Sequence, residues 1–143
     1  MSERRFCTFH VGTLLLGVQL DRVQEVMGAQ VLTPVPLADP CVLGLINLRG
    51  RIVTVIDARR RLGLSPRPED AAVANVVIRV DGEPVSLVVD SEGEVIDVDA
   101  LDVEAVPETV SSTIREYAVG AYKVNGGLLL ALDPDRTMSV TTG

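Results

Sequence analysis

The sequence contains no tryptophan, and its aromatic residues are limited to Phe6, Phe9, Tyr117 and Tyr122. Large rings are therefore not the basis of its core. A single histidine, His10, has no second histidine with which to share a metal, which speaks against a zinc centre. The two cysteines sit in apolar surroundings, Phe6-Cys7-Thr8-Phe9 and Pro40-Cys41-Val42-Leu43. They are expected to be buried free thiols rather than a disulfide. No apolar run approaches the ~20 residues of a membrane-spanning helix. Ser2-Glu3-Arg4-Arg5 leads straight into a strand-like segment with no secretory leader, so the expected location is the cytoplasm. Neither Gly-x-Gly-x-x-Gly nor a phosphate-binding loop occurs, and Gly126-Gly127 reads as a turn. No cofactor or metal is expected. A net charge of −7 excludes nucleic acid as a partner, because phosphate binding needs a basic surface.

What the chain does have is aliphatic residues, at an overall hydrophobic share of 47%, most of them Val and Leu. Such residues favour strands. Its 143 residues suit one ordinary domain or two small sub-domains. Apolar segments recur between Gly, Pro and Asp punctuation: 6–11, 14–18, 42–48, 52–56, 76–80, 85–89, 119–124 and 128–132. Each is too short for a confident helix, and turn signals such as Asp81-Gly82 and Asn125-Gly126 bound most of them. The fold class read from this is all-β with short helical turns. One such turn is expected over Leu20–Met27, where Leu20, Val23 and Val26 or Met27 fall near helical spacing.

The segment Gly44–Asp57 reads glycine, five residues, Gly50, six residues, aspartate, and the same order returns 76 residues later from Gly120 through Gly126 to Asp133. Looser echoes relate 6–18 to 76–88 and Val35-Pro36 to Val106-Pro107. The pattern predicts two copies of a five-stranded unit, near 6–62 and 75–138, joined by the Pro-rich stretch 63–74. A small sheet of this kind avoids exposed edges by curling into a barrel. The approximate sub-domains are 1–66 and 67–143 of a single domain 1–143, with strand exchange between them left open. Their junction forms a groove that suits a partner helix.

Charge is unevenly distributed. Residues 81–108 carry ten acids and no Lys or Arg, whereas 49–67 carry six arginines against Asp57 alone. Two faces of opposite sign are either simply solvated or suited to steering protein partners. Chemistry of its own is hard to find. Asp57, Asp90 and Asp133 each end an apolar run, which raises a hydrolase built from scattered aspartates. None sits in the Asp-Thr/Ser-Gly turn of an aspartic protease, and capping the turn after each strand is the expected role. The run Asp97–Asp102 lacks the glycine and third acid of a calcium loop.

The combination Asp21-Arg22-Val23-Gln24-Glu25-Val26, Thr33-Pro34-Val35-Pro36 and Gly44 through Asn47-Leu48-Arg49-Gly50 to Asp57 resembles the signature of the CheW family. Val85–Asp90 and 117–133 resemble its later motifs, so the likeness runs along nearly the whole chain. The resemblance implies two SH3-like five-stranded barrels. It also implies a non-catalytic adaptor that couples the cytoplasmic tip of methyl-accepting chemoreceptors to the regulatory domain of a CheA-type histidine kinase, without inserting into the membrane. Protein-binding positions carried over are Val23, Glu25, Val35, Gly44, Asn47, Leu48, Arg49, Gly50, Val89 and Asp90. Glu25 and Arg49 are expected to form an exposed ion pair, Gly44 and Gly50 to permit tight turns, and the valines to line a contact surface or the core. Two departures stand out: Asn75 where the family commonly has arginine, and little helical sequence after Asp133. They leave open a specialised adaptor that binds a receptor but not the kinase.

Overall fold

The computed structural model describes residues 3–140. Ten strands dominate it: β1 (Glu3–Val11), β2 (Leu14–Gln19), β3 (Val23–Met27), β4 (Val42–Leu48), β5 (Arg51–Asp57), β6 (Ala74–Val80), β7 (Glu83–Val89), β8 (Ser91–Asp99), β9 (Ala118–Val124) and β10 (Gly127–Leu132). Three short helices, α1 (Ala58–Arg61), α2 (Ser112–Tyr117) and α3 (Pro134–Thr137), follow or precede strands. The chain is all-β, as its aliphatic runs and turn dipeptides require. Tight hairpins come from local chemistry. Asp81 and Gly82, at φ of 51° and 78°, join β6 to β7 through the left-handed conformation that matches strand twist.

The strands form two five-stranded sheets, in the orders β8-β1-β2-β10-β9 and β3-β6-β7-β5-β4. Both orders are the same once each strand of the first repeat is matched to its copy in the second. The leading hairpin of each repeat has crossed over: β1-β2 lies in the sheet of β8–β10, and β6-β7 lies in the sheet of β3–β5. Parallel pairings of β2 with β10 and β5 with β7 seal the exchange. A division at residues 66 and 67 therefore does not separate the two sheets, since each draws strands from both sides of it.

Each sheet curls toward closure at one point beyond its named strands. Thr33, in the loop after β3, exchanges both backbone hydrogen bonds with Leu45 of β4, each 2.8 Å. Glu104, after β8, does the same with Ala121 of β9 at 2.8 and 3.0 Å. The repeated glycine stands beside each closure, Gly44 before Leu45 and Gly120 before Ala121. A single apolar cluster spans both sheets, with Phe9, Val11, Leu16 and Val18 from the first against Ile56, Val76, Ile78, Leu87 and Val89 from the second. The opposite faces hold smaller clusters, Phe6, Tyr122, Leu129 and Ala131 in the first sheet and Ile46, Leu48, Val53, Val55, Val77 and Val88 in the second. Burying a Val or Leu side chain stabilises by about 1.5–3 kcal/mol, so the shared cluster binds the two sheets into one body.

Two local expectations are corrected. The helical turn over Leu20–Met27 is confined to a 3-10 turn at Leu20–Arg22, and Val23–Met27 is strand β3, held by pairing with β6. Strand β8 is absent from the apolar runs because its sequence, Ser91–Asp99, is acidic and mostly exposed. Cys7 is buried on β1 and Cys41 half-buried before β4, both free. Of the C-terminal run, Ser139 and Val140 follow α3, while 141–143 lie outside the described residues, as do residues 1 and 2.

Candidate functional site

The turn between β4 and β5 is built by Asn47, Leu48, Arg49 and Gly50. Asn47 Oδ1 accepts a 2.9 Å hydrogen bond from the Gly50 amide and so fixes the turn. Arg49 and Gly50 occupy the left-handed region at φ of 51° and 87°. An arginine there is strained relative to the Asn or Gly that such turns prefer. The strain is matched by a specific contact. Arg49 reaches back across the gap between β4 and β3, its Nη1 donating to Glu25 Oε1 at 3.3 Å and its Nη2 to Glu25 Oε2. The fork-to-fork geometry fixes orientation as well as charge. Arg49 also holds the Glu25 carboxyl below its ordinary range. The pair expected from the resemblance is thus present and open to solvent, with the Arg49 side chain 67% exposed.

The loop from 28 to 41 follows β3, is tied to β4 by Thr33, and from there runs toward the start of β4, away from the β4–β5 turn. It exposes Val31, Val35 and the fully solvated Leu37. Leu37 adopts φ of 59°, rare for a leucine. Ile52, 66% exposed on β5, adds to the apolar content of the same sheet. Val23 is half-buried against the shared core.

A second polar cluster lies where the two sheets meet. Asp90, at the end of β7, accepts from the Gly12 amide at 2.7 Å, from Arg59 Nη2 at 2.6 Å and Nε at 3.0 Å, and from Arg67 Nε at 3.1 Å. Arg67, from the stretch between the repeats, also donates to Asp57 Oδ1 at 2.9 Å. Hydrogen bonding from Arg59, aided by the Gly12 amide and Arg67, lowers the Asp90 carboxyl from 3.8 to about 2 despite its partial burial. A shared-proton carboxylate pair needs the opposite, one member raised. Asp57 and Asp133 cap α1 and α3, accepting from the amides of Arg59 and of Asp135 and Arg136. These aspartates carry structure, and the expected capping role of Asp90 is replaced by a link between Gly12, Arg59 and Arg67.

The carried-over positions divide accordingly. Glu25, Asn47, Arg49 and Gly50 meet at the β4–β5 turn, whereas the exposed Val35 lies past Thr33, toward the other end of β4. Val89 is fully buried and Leu48 is 8% exposed, so both belong to the core rather than to a contact surface. Gly44 is buried against Thr33, where a side chain would collide. Sequence reasoning missed Leu37, Val31 and Ile52, and also Arg59 and Arg67 as partners of Asp90. The excess of arginine over 49–67 was the available signal for the last two. Among the described residues no three His, Cys, Asp or Glu side chains stand together to hold a metal ion. Burial raises both thiols above their ordinary value, which keeps reactive thiolate scarce.

The comparisons with known proteins agree with this architecture. The scaffolding protein TtCheW from Thermoanaerobacter tengcongensis superposes with a TM-score of 0.83 at 24% identity, covering 99% of this chain and all of its own. The chemotaxis protein CheW of Rhizobium meliloti (strain 1021) is 30% identical over 132 residues, 92% of this chain and 85% of its own. That of Thermotoga maritima is 28% identical over 142 residues, 99% of this chain and 92% of its own. The CheW-like domain matches residues 5–141. With two exchanged five-stranded sheets and the Glu25–Arg49 pair at the expected positions, the chain belongs to the CheW-like family.

Proposed function

We propose that this chain is a non-catalytic scaffold that couples methyl-accepting chemoreceptors to a CheA-type histidine kinase, working in the cytoplasm and recruited to receptor clusters. The observation that carries the reading is the Glu25–Arg49 pair. A strained, solvent-facing arginine is fastened in one orientation by its two-pronged contact with Glu25. Stability alone gives little reason for such an arrangement, because exposed ion pairs contribute little. Recognition gives a good one, since a charge held in a fixed orientation sets register and excludes wrong partners. The aspartates are already engaged by arginines and backbone amides, which argues against the hydrolase reading.

The whole chain acts as one unit in this reading, because the exchanged hairpins leave neither half with a complete sheet. The test is titration of the purified protein with a receptor cytoplasmic fragment and, separately, with a kinase regulatory domain. Micromolar binding to both is expected. Binding to the receptor fragment alone identifies the specialised adaptor, and binding to neither overturns the proposal.

A further inference from the structure

Two connections carry the chain from one sheet to the other, β2 to β3 through Leu20–Arg22 and β7 to β8 through Asp90. Each is pinned by one charged side chain. At the second, Asp90 holds Arg59 of α1 and the Gly12 amide, and its own amide donates to the His10 carbonyl at 3.0 Å. At the first, Arg22 meets Asp135 of α3 at 2.5 Å and donates through Nε and Nη2 to the Arg79 carbonyl at 3.1 and 2.8 Å. Arg79 returns a bond of 2.8 Å to the Asp21 carbonyl.

The two latches occupy matching places in the repeat. The amides of Arg59 and Asp135 are each held by the capping aspartate of their helix, Asp57 and Asp133. The hairpin turns, Gly12-Thr13 and Asp81-Gly82, align His10 with Arg79 and Asp21-Arg22 with Asp90-Ser91. The same two carbonyls are therefore used, yet the polarity is opposite. The helix supplies the cation at one latch and the anion at the other.

We infer that this reversal of charge is a device that directs each hairpin into the other repeat's sheet. Exchange pairs β2 with β10 and β7 with β5, which brings Arg22 to Asp135 and Asp90 to Arg59. The unexchanged arrangement would pair β2 with β5 and β7 with β10. Asp90 would then meet Asp135, with Ser91 in the place of Arg22. Arg22 would stand beside Arg59, with Asp21 between them as the one offsetting acid. Like charges brought together are unfavourable. A tenfold preference needs only about 1.4 kcal/mol, so the latches add weight to the choice that the shared apolar core favours. The device belongs to the fold itself and does not depend on the function proposed for the Glu25–Arg49 surface.

The test follows the full chain by nuclear Overhauser contacts after refolding from urea. Contacts of Gly17 with Ala131 and of Ser86 with Val55 mark the exchanged form. Contacts of Gly17 with Val55 and of Ser86 with Ala131 mark the unexchanged one. Asp135→Arg, at a side chain 62% exposed, sets two arginines together in the exchanged form and an arginine beside Asp90 in the other. A second set of signals with the unexchanged contacts is expected in about one-tenth of the molecules, and in more when Arg59→Asp is added. Asp135→Asn removes the latch without reversing it and should show the exchanged contacts alone, at a similar Tm. Exchanged contacts alone in Asp135→Arg, or the same mixture in Asp135→Asn, would overturn the inference. Because Asp135 is exposed, this outcome stands even where the double variant does not refold.

Discussion

Gly44 lies against Thr33 so closely that a Cβ at position 44 would stand 2.6 Å from the Thr33 carbonyl oxygen. The same contact brings Thr33 within hydrogen-bonding distance of Leu45 and closes the second sheet. At the matching position of the other repeat, a Cβ on Gly120 would meet Val103 Cγ2 at 2.5 Å, while the Glu104 carbonyl oxygen stays 3.6 Å away. One glycine faces rigid backbone and the other a half-exposed side chain that can turn aside.

The two glycines should therefore respond unequally to alanine. Gly44→Ala is expected to cost about 2–4 kcal/mol, by backbone displacement together with an unfavourable φ. Gly120→Ala is expected to cost about 1 kcal/mol or less. Urea denaturation of the two variants measures the difference, and equal losses would refute the account of sheet closure.

Arg49→Glu should abolish partner capture by like-charge repulsion with Glu25 and with the partner's complementary surface, while Tm stays nearly constant because the Arg49 side chain is 67% exposed and its ion pair lies at the surface. The charge-swapped variant, Glu25→Arg with Arg49→Glu, rebuilds the pair with reversed polarity. Continued failure to bind is expected. Restored binding in a pull-down would mean that the pair only shapes the turn.

Asp90 makes part of the stability acid-sensitive. Its folded pKa, about 2, lies below the ordinary 3.8, so its contribution is complete above about pH 4 and is lost as pH falls toward 2. The shift corresponds to roughly 2 kcal/mol. Asp90→Asn should lower stability at neutral pH by about that amount, with the gap from the unaltered protein closing between pH 4 and 2. Denaturation curves over this range provide the check.

Asn75 is 2% exposed and tied on both sides, accepting from Ser86 Oγ at 2.8 Å and donating to the Gly28 carbonyl at 2.9 Å. Asn75→Ala leaves Ser86 buried and unpaired and should cost about 2–3 kcal/mol. Asn75→Arg should be worse, because it buries an uncompensated charge. The interior location explains why this position holds a compact amide here, and midpoint shifts in urea test it.

Fragments 1–66 and 67–143 should each fail to fold alone, because each lacks strands on both sides of a sheet, including one partner of every parallel pairing. Mixed together they should regain β-sheet circular dichroism. A folded monomeric half would contradict the exchange.

The aliphatic runs, the turn dipeptides and the internal repeat were enough to establish an all-β chain of two related units, because strand propensity, left-handed turns and duplication are local or periodic properties. The Asn47–Gly50 turn and its charge partner were also legible, since the motif that builds the turn carries the arginine. Strand β8 was not, because an acidic edge strand buries too little to leave an apolar pattern. Which hairpin completes which sheet was decided only in three dimensions. The two repeats present nearly equivalent edges, and packing of Phe9, Leu16, Ile78 and Leu87 into one shared core selects the crossed arrangement over the sequential one.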